Sequence, residues 1–362
     1  MRLVWATVTA DTTTSADAQS LLVTLDDGTE GRAVCYPALC GTCVAGDRVL
    51  LNTTAVDLSL GTGGLHFVVA RGEASGVVFD SASGGHIMKL RYSPLQVDVL
   101  SVESQESPHH ETMRAATTLG GMPVVCCGLH SQVPLVAAAI KQADPTLKVA
   151  YCMTDEAALA LPLSDVIRAC VKEGLVDTTI SCGQAFGGEY EAVNLHSGLL
   201  AARFVAGADV AVVAIGPGVV GTATPFGHGG IAQGEALNTV VSLGGSPIAS
   251  LRLSFADKRS RHRVVSHHSM AALMQIALAP VRVAVPSLPD DLAEQVADAL
   301  ESSGVWERHT RADASAGRVP APDMHGIHVT TMGRGLSDDP AFFAAAFAAG
   351  EVAARIARNG EA

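Results

Sequence analysis

The segment that most constrains the fold is the nearly unbroken apolar run at 208–215, followed at once by glycines spaced G-x-G-x-x-G. A strand that is apolar along its whole length is typical of a parallel sheet covered on both faces. Gly216, Gly218 and Gly221 let the backbone turn sharply or approach a phosphate closely. Pro225 interrupts the helix that a dinucleotide site would place next, and no acidic residue ends a second strand about twenty residues further on. A phosphate-bearing ligand and a purely structural turn are therefore both open.

The rhythm of apolar residues divides the chain into two parts. Residues 1–75 hold short β-prone runs separated by turn residues, which predicts a small β-barrel or sandwich. Residues 76–112 continue as an extended connection. From 113 to 362 apolar runs alternate with helical patterns, so we expect a doubly wound, mostly parallel α/β domain of Rossmann-like type. Its expected strands are 123–128, 147–152, 178–182, 208–215, 248–255, 281–286 and 326–331.

Serines in front of several helical patterns predict where helices begin. Ser131, Ser164 and Ser337 are each expected to cap a helix through the side-chain oxygen. In the last of these helices, two aspartates after the serine are expected to occupy the first turn and favour the helix dipole.

Composition excludes several classes of protein. The chain of 362 residues has a formal charge of −12, so general nucleic-acid binding is not expected. Its apolar runs stay below the about 18 residues of a membrane span, and its first residues lack the pattern of a signal peptide. The eight scattered cysteines suit reduced thiols. We therefore expect a cytoplasmic protein with no nucleic-acid or membrane partner, and the sequence is compatible with a homo-oligomer.

Five phrases of the sequence resemble those of one protein family. They are LNTTAVDLSLGTGGLHFV (51–68), GHIMKLRYSPLQ (85–96), GPGVVGT (216–222), SHHSMAAL (266–273) and TMGRG (331–335). They look like phrases of a bacterial family catalogued only as a domain of unknown function, and the resemblance covers nearly the full chain. The resemblance implies a full-length protein of two parts, and it carries over no activity and no catalytic residue.

Ligands of open α/β sheets bind where the carboxyl ends of parallel strands meet. The loops expected at that edge bring together the candidate ligand-binding residues Gly216, Gly218, Gly221, Lys258, Arg259 and Arg334. Guanidinium groups pair with phosphates and carboxylates, and a cationic loop in an acidic chain is not explained by overall composition. We therefore expect a small anionic ligand at this cleft, and a phosphorylated metabolite is one candidate.

Groups that can move protons follow the same strands. His130, Asp155 and His268 are the candidate catalytic residues, and His130, Asp155 and one of the adjacent histidines are an alternative set of metal ligands. If these residues convert the bound ligand, the protein is an enzyme or enzyme-like. If they do not, the α/β part is a ligand-sensing or regulatory module, and the N-terminal β domain is its docking surface. Spacing reveals no catalytic pair, so the sequence names neither a reaction nor a cofactor.

Possible metal ligands are not arranged by spacing into a site. His267 and His268 are neighbours at a predicted helix start, so they are expected to point in different directions. Cys35, Cys40 and Cys43 form the densest thiol cluster, but a zinc site would need a fourth ligand. We expect buried core thiols there and predict no metal site.

Overall fold

The computed structural model describes residues 2–13, 15–59, 64–72, 84–93, 95–314 and 326–359. Its contacts divide the chain into two compact units, Met1–Leu100 and Ser101–Ala362. The division falls within the region 76–112 in which we expected a connection. The extended run expected at 77–81 lies outside the described residues.

The first unit is a closed five-stranded β-barrel, which confirms the predicted all-β part. Its strands are β1 (Leu3–Asp11), β2 (Gln19–Leu25), β3 (Glu30–Cys35), β4 (Arg48–Asn52) and β5 (Leu65–Arg71), in the order β1-β2-β3-β5-β4. Apolar side chains alternate along these strands, and those that point inward, such as Val8, Val23 and Leu51, form the core. Also in this unit are α1 (Pro37–Cys40), α2 (Thr54–Asp57) and an antiparallel hairpin of β6 (Ile87–Lys89) and β7 (Val97–Val99).

The second unit is built on an eight-stranded sheet in which every pair of neighbours is parallel. In chain order its strands are β8 (Pro123–Cys126), β9 (Val149–Thr154), β10 (Thr178–Cys182), β11 (Tyr190–Ala192), β12 (Val210–Ile215) and β13 (Ser246–Ser250). Next in the chain, β14 (Leu253–Ser254) and β15 (Val264–Val265) form a separate antiparallel pair, and β16 (Arg282–Val285) and β17 (Thr310–Asp313) complete the sheet. The strand order is β11-β10-β9-β12-β8-β13-β16-β17.

Helices cover both faces of this sheet. They are α3 (His110–Ala115), α4 (Val133–Ala143), α5 (Asp165–Lys172), α6 (Leu195–Phe204), α7 (Ile231–Ser242), α8 (His267–Ala271), α9 (Asp290–Ser302) and α10 (Pro340–Asn359). Short 3-10 turns occur at His130–Gln132, Leu161–Leu163, Ser260–His262 and Val305–Glu307, and a π-helical turn, Ala272–Ile276, continues α8.

Two-sided burial explains the apolar run at 208–215. In β12, Ala211 and Val213 pack with residues of α6 and α7, whereas Val212 and Ala214 pack with residues of α4 and α10. Because helices bury both faces of the strand, each of its positions must be apolar. The doubly wound, parallel α/β architecture is thereby confirmed.

The last helix, α10, is long and apolar enough to cross a membrane by length and composition alone. However, 78% of its 18-residue apolar window is buried inside the fold. Phe342, Phe343 and Val352 pack in the core with residues of α4. Gly350 permits the close approach of these helices, because a Cβ there would collide with the carbonyl oxygen of Val136. We conclude that α10 is a core helix of the α/β unit.

Two of the strand predictions are wrong in detail. The segment 326–331 is not a strand, and the edge position of the sheet is taken by β17 instead. The sequence of β17, TRAD, gives no apolar run, because an edge strand is only partly covered. The predicted strand 248–255 is two strands, β13 and β14, since the chain leaves the sheet at Leu251 and Arg252.

Of the three predicted serine caps, one is confirmed and two are wrong. Ser164 caps α5, and its Oγ accepts a hydrogen bond from the backbone N–H of Ile167. Ser131 lies instead inside a 3-10 turn that precedes α4. Ser337 lies before α10, which begins only at Pro340. Proline is favoured at the first helical position, where a backbone N–H has no partner to lose.

Candidate functional site

Two loops leave the carboxyl edge of the sheet on either side of β8. Strands β12 and β13 both pair with β8 in parallel, so the chain emerges from both at the same edge. The loops enclose a cavity of about 170 Å³. Its wall includes the arginines Arg252, Arg259 and Arg261 and the histidines His262, His267 and His268. Gly221 and Met332 line it as well. The glycine loop (216–222), the basic loop (257–263) and the Met-Gly-Arg-Gly turn (332–335) therefore meet in this pocket.

The three glycines of the G-x-G-x-x-G segment have different structural roles. A Cβ at Gly216 would collide with the carbonyl oxygen of Ala158, so this glycine permits close packing of two loops. Gly218 has a φ of +94°, which glycine adopts without strain. Of the three, Gly221 lines the pocket. Helix α7 begins only at Ile231, so the glycines do not lead directly into a helix N-terminus.

Histidines from two separate segments converge beside the cavity. His228 comes from the loop after β12, where it forms a β-bridge with Gly221, and His267 and His268 begin α8. The rings of His228 and His268 are stacked with their centroids 3.9 Å apart, and the centroids of His267 and His268 are 4.5 Å apart. Each of these three residues offers a ring nitrogen, and the three atoms lie within 4.8 Å of one another. The expectation that His267 and His268 point in different directions is wrong, because each brings a ring nitrogen to within 4.8 Å of the other.

Hydrogen bonds show which ring nitrogens of these histidines carry a proton and which accept a hydrogen bond. His228 Nε2 lies 3.0 Å from the carbonyl oxygen of Pro225, so it carries a proton and donates it. Arg252 Nη1 lies 3.3 Å from His268 Nδ1 and donates to it. His228 Nδ1 and His267 Nε2 are buried, and neither has a hydrogen-bond partner among the described residues. Buried polar atoms normally have partners, so both nitrogens are available to accept or donate a further hydrogen bond or to hold an ion.

Burial keeps these imidazoles neutral. Burial, reinforced by Arg252, lowers the pKa of His262 to about 3. Burial, with His228 as the next cause, lowers the pKa of His268 to about 2. Burial also lowers the pKa of His228 and of His267. The positive charge of the pocket therefore comes from its arginines, and the histidines offer lone pairs.

Two buried aspartates hold the arginines in place. Arg259 donates to Asp257 in bidentate fashion, with 3.0 Å from Nε to Oδ1 and 2.8 Å from Nη2 to Oδ2. Arg334 Nη2 lies 3.4 Å from Asp257 Oδ2, and its Nε lies 3.1 Å from Asp339 Oδ2. The hydrogen bonds from Arg259 hold the pKa of Asp257 well below its usual range. The ion pair of Arg252 with Asp257 is longer, at 3.8 Å from Nη2 to Oδ2. Burial lowers the pKa of Arg252 to about 10.

Other candidate residues named from the sequence have contacts elsewhere. His130 Nε2 lies 2.7 Å from Ser164 Oγ, its Nδ1 lies 3.3 Å from the carbonyl oxygen of Ile215, and burial lowers the pKa of His130 to about 4. Asp155 Oδ2 accepts a 2.7 Å hydrogen bond from a backbone N–H of the loop after β10. Lys258 is exposed. None of these three residues lines the pocket.

Sequence patterns predicted some members of the pocket and missed others. Gly221, Arg259 and His268 line or adjoin the cavity, as expected for a shared carboxyl edge. The patterns missed Arg252, which is 4% exposed, and His228, which is 6% exposed. A charged residue inside the apolar run LRLSF was the available signal for Arg252. The sequence Gly-His-Gly-Gly at 227–230 was the signal for His228.

The thiol cluster of the barrel has a different character. Cys35 Sγ lies 3.4 Å from Cys40 Sγ and 3.6 Å from Cys43 Sγ. All three cysteines are buried in the barrel core and unbridged. Within the described parts of the chain, His228, His267 and His268 are the one group of three potential metal ligands (His, Cys, Asp or Glu) whose ligand atoms all lie within 4.8 Å of one another.

Fold and pocket together define a protein of two units, a small β-barrel and a doubly wound α/β unit with an arginine- and histidine-lined pocket at its carboxyl edge. The chain belongs to a family described as protein of unknown function (DUF3866), whose family model matches residues 32–350. No match was found among the curated proteins or among the solved structures.

Proposed function

We propose that the protein binds a small anion, through a phosphate or carboxylate group, in the pocket at the carboxyl edge of the sheet. The observation that carries the proposal is that Arg252, Arg259 and Arg261 line the cavity, whereas its described lining holds no carboxylate. The planar guanidinium group presents donors that match the oxygens of phosphates and carboxylates. In a chain with a formal charge of −12, this concentration of arginines does not follow from composition.

Arg261 supplies the charge that is most available to a ligand. It lines the cavity, its side chain is exposed, and no ion pair engages it within the described part of the chain. Arg259 binds Asp257 through Nε and Nη2, which leaves Nη1 as a further donor. The pocket therefore retains positive charge after its buried aspartates are counted.

The size of the cavity limits the ligand. Its volume of about 170 Å³ is well below the roughly 300–1,000 Å³ of sites for drug-sized ligands. This volume favours a small acid, or the anionic end group of a larger molecule, over a dinucleotide held entirely inside. The glycine loop agrees with this preference, because it does not lead directly into a helix N-terminus.

Both an enzyme and a ligand-sensing protein would bind an anion in this pocket. We propose that this protein is an enzyme. The wall of the pocket carries imidazoles beside the arginines, and imidazole is the side chain used most often for proton transfer and for holding catalytic metals. Phosphorus NMR of a bound phosphate ester separates the two functions. An enzyme converts the ester, and a sensor returns it unchanged.

We also propose that the protein works in the cytoplasm. All eight cysteines are buried and unbridged, which suits a reducing compartment. Fractionation of cells that express the untagged chain tests this location, and recovery in a secreted fraction would contradict it.

Calorimetric titration with inorganic phosphate and with succinate, and with glucose as a neutral control, tests anion binding. Arg261→Gln removes a lining charge, and Arg263→Gln is the matched control, because Arg263 is exposed and lies outside the lining. One charge-assisted hydrogen bond contributes about 1.5–3 kcal/mol, so Arg261→Gln should bind the anion about tenfold to a hundredfold more weakly. The wild type and Arg263→Gln should bind alike. No anion binding by the wild type, or equal affinities of the two variants, would refute the proposal.

A further inference from the structure

We infer that the pocket also holds a divalent transition-metal ion, bound by His228, His267 and His268. The ring nitrogens of these three residues lie within 4.8 Å of one another. Small rotations of the side chains would bring all three to the Zn–N distance of about 2.0–2.1 Å from one ion. Two of the rings present a buried nitrogen with no hydrogen-bond partner among the described residues, Nδ1 of His228 and Nε2 of His267. Convergence and unpartnered lone pairs are independent observations, and both point to a ligand that accepts electron pairs.

His228 has the hydrogen-bond pattern of a metal ligand. Its Nε2–H donates to the carbonyl oxygen of Pro225 at 3.0 Å, so the ring is held in the tautomer that has its lone pair on Nδ1. Histidines that bind metals almost always donate the other ring N–H to a carbonyl or carboxylate in this way. Gly230 keeps the space beside this nitrogen open, because a Cβ there would lie 3.0 Å from His228 Nδ1.

The other two ligands are set by the start of α8. Ser266 caps this helix by accepting a hydrogen bond from the backbone N–H of His268. His268 Nδ1 accepts from Arg252, whereas His268 Nε2 lies near Gly221, where a Cβ would be 3.9 Å away. We therefore assign the ion to Nε2. With the ring proton on Nδ1, His268 would no longer accept the hydrogen bond from Arg252. Asp257 Oδ2, 3.8 Å from Arg252 Nη2, would remain as the carboxylate partner of this guanidinium.

The donor set selects the kind of ion. Imidazole nitrogens suit zinc, cobalt, nickel and copper, whereas magnesium and calcium prefer oxygen ligands, and the described lining holds no carboxylate. Three histidines leave a fourth coordination position open, as in catalytic zinc sites. Arg252, Arg259 and Arg261 repel a cation, and the buried Asp257 and Asp339 offset part of that repulsion. The histidines hold the ion whether or not an anion is bound, so this site does not rest on the proposed function.

Cobalt titration of the untagged chain, stripped with EDTA and kept in phosphate-free buffer, tests the site directly. Visible absorption reports tetrahedral Co²⁺, and competition with Zn²⁺ gives the zinc affinity. We expect one ion per chain. His228→Gln and His267→Gln each remove one ligand and should weaken binding about a hundredfold, because even residues that only orient ligands contribute 10–100-fold. His196→Gln is the control, since His196 is exposed on α6 and should leave binding unchanged.

The wild type and the three variants together decide whether the histidines bind the ion. Half-buried His267 can be replaced with little cost to the fold, so His267→Gln decides the result if His228→Gln fails to fold. No cobalt spectrum in the wild type, or retention of cobalt by His267→Gln, overturns the inference. An equal loss in His196→Gln overturns it as well. Phosphate binding is measured separately in the presence of EDTA, so failure of the anion pocket and failure of the metal site are distinguishable.

Discussion

The rings of His228 and His268 lie face to face, with their centroids 3.9 Å apart and their planes inclined by 4°. His228 belongs to the loop after β12 and His268 to α8, so this contact joins two walls of the pocket. Two protonated imidazoles at this separation would repel each other. Burial lowers the pKa of both, and the positive charge of Arg252 lowers it further. The pair is therefore stable in its neutral form, which is also the form that binds metals.

A methyl group at Gly230 should disturb both rings of this pair. A Cβ at that position would lie 2.8 Å from His268 Cβ and 3.0 Å from His228 Nδ1. We expect Gly230→Ala to weaken Co²⁺ binding about tenfold or more in the same absorption titration. Gly229→Ala is the matched control, because the nearest atoms to its Cβ would be aliphatic carbons of Val219 and Ile215 at 3.3 and 3.5 Å and the carbonyl oxygen of Glu156 at 3.8 Å. Equal affinities of the two alanine variants would contradict this prediction.

Asp257 should be a major source of stability at the carboxyl edge. It is 3% exposed and binds Arg259 and Arg334. Asp257→Asn therefore leaves Arg259 without its buried counter-charge and leaves Arg334 with Asp339 alone. Loss of one partner from a buried pair costs about 3–5 kcal/mol, and the partial exposure of Arg259 favours the lower end, about 3 kcal/mol. Asp313→Asn is the control, since its ion pair with Arg311 is exposed and should contribute less than about 1 kcal/mol. Urea unfolding of the two variants measures the difference.

The same carboxylate gives a pH dependence with a definite sign. Folding lowers the pKa of Asp257, so its contribution is present above the unfolded pKa of about 4 and is lost as the pH falls below it. The free energy of unfolding of the wild type should therefore fall below pH 4 more steeply than that of Asp257→Asn. Parallel acid limbs for the two proteins would show that Asp257 keeps its ordinary pKa.

His130 should contribute to the pH dependence of stability in a second and less acidic range, as should the buried histidines of the pocket. Burial lowers the pKa of His130 from its usual value of about 6.5 to about 4, so its contribution to stability is present above pH 6.5 and lost as the pH falls toward 4. Between pH 7 and pH 5 the loss is at most about 2 kcal/mol. Urea unfolding of His130→Gln should show a correspondingly smaller difference between these two pH values. An unchanged difference would mean that His130 titrates normally.

The barrel cysteines should remain thiols that play no part in metal binding. Cys35, Cys40 and Cys43 form a buried cluster in the barrel core, with the sulfurs of Cys35 and Cys40 3.4 Å apart. We expect the double variant Cys40→Ser and Cys43→Ser to keep its full cobalt and zinc stoichiometry, although burying two hydroxyls should lower its stability. Metal analysis of the purified double variant checks this. Loss of zinc from it would place the metal in the barrel rather than at the histidines.

Sequence patterns predicted much of the sheet, because strands that are buried on both faces are rich in apolar residues. Strand β12 is apolar at every position since both of its faces are covered. The strand at 178–182 was also predicted with its observed bounds. The edge strand β17 was missed because half-covered strands alternate with polar residues. The pocket was only partly predictable. That β12 and β13 share an edge follows from a parallel sheet, but the contact of His228 with α8 joins residues far apart in the chain, and no spacing encodes it.

The central claim is that an oxyanion binds among the arginines at the carboxyl edge of the sheet, and a crystal soaked in selenate tests it most directly. Selenium marks the position of the oxyanion by anomalous scattering. We predict a peak in the cavity within hydrogen-bonding distance of the guanidinium groups of Arg259 and Arg261. An empty cavity in a crystal that binds selenate only at exposed cations outside it, such as Lys258 or Arg263, would contradict the claim.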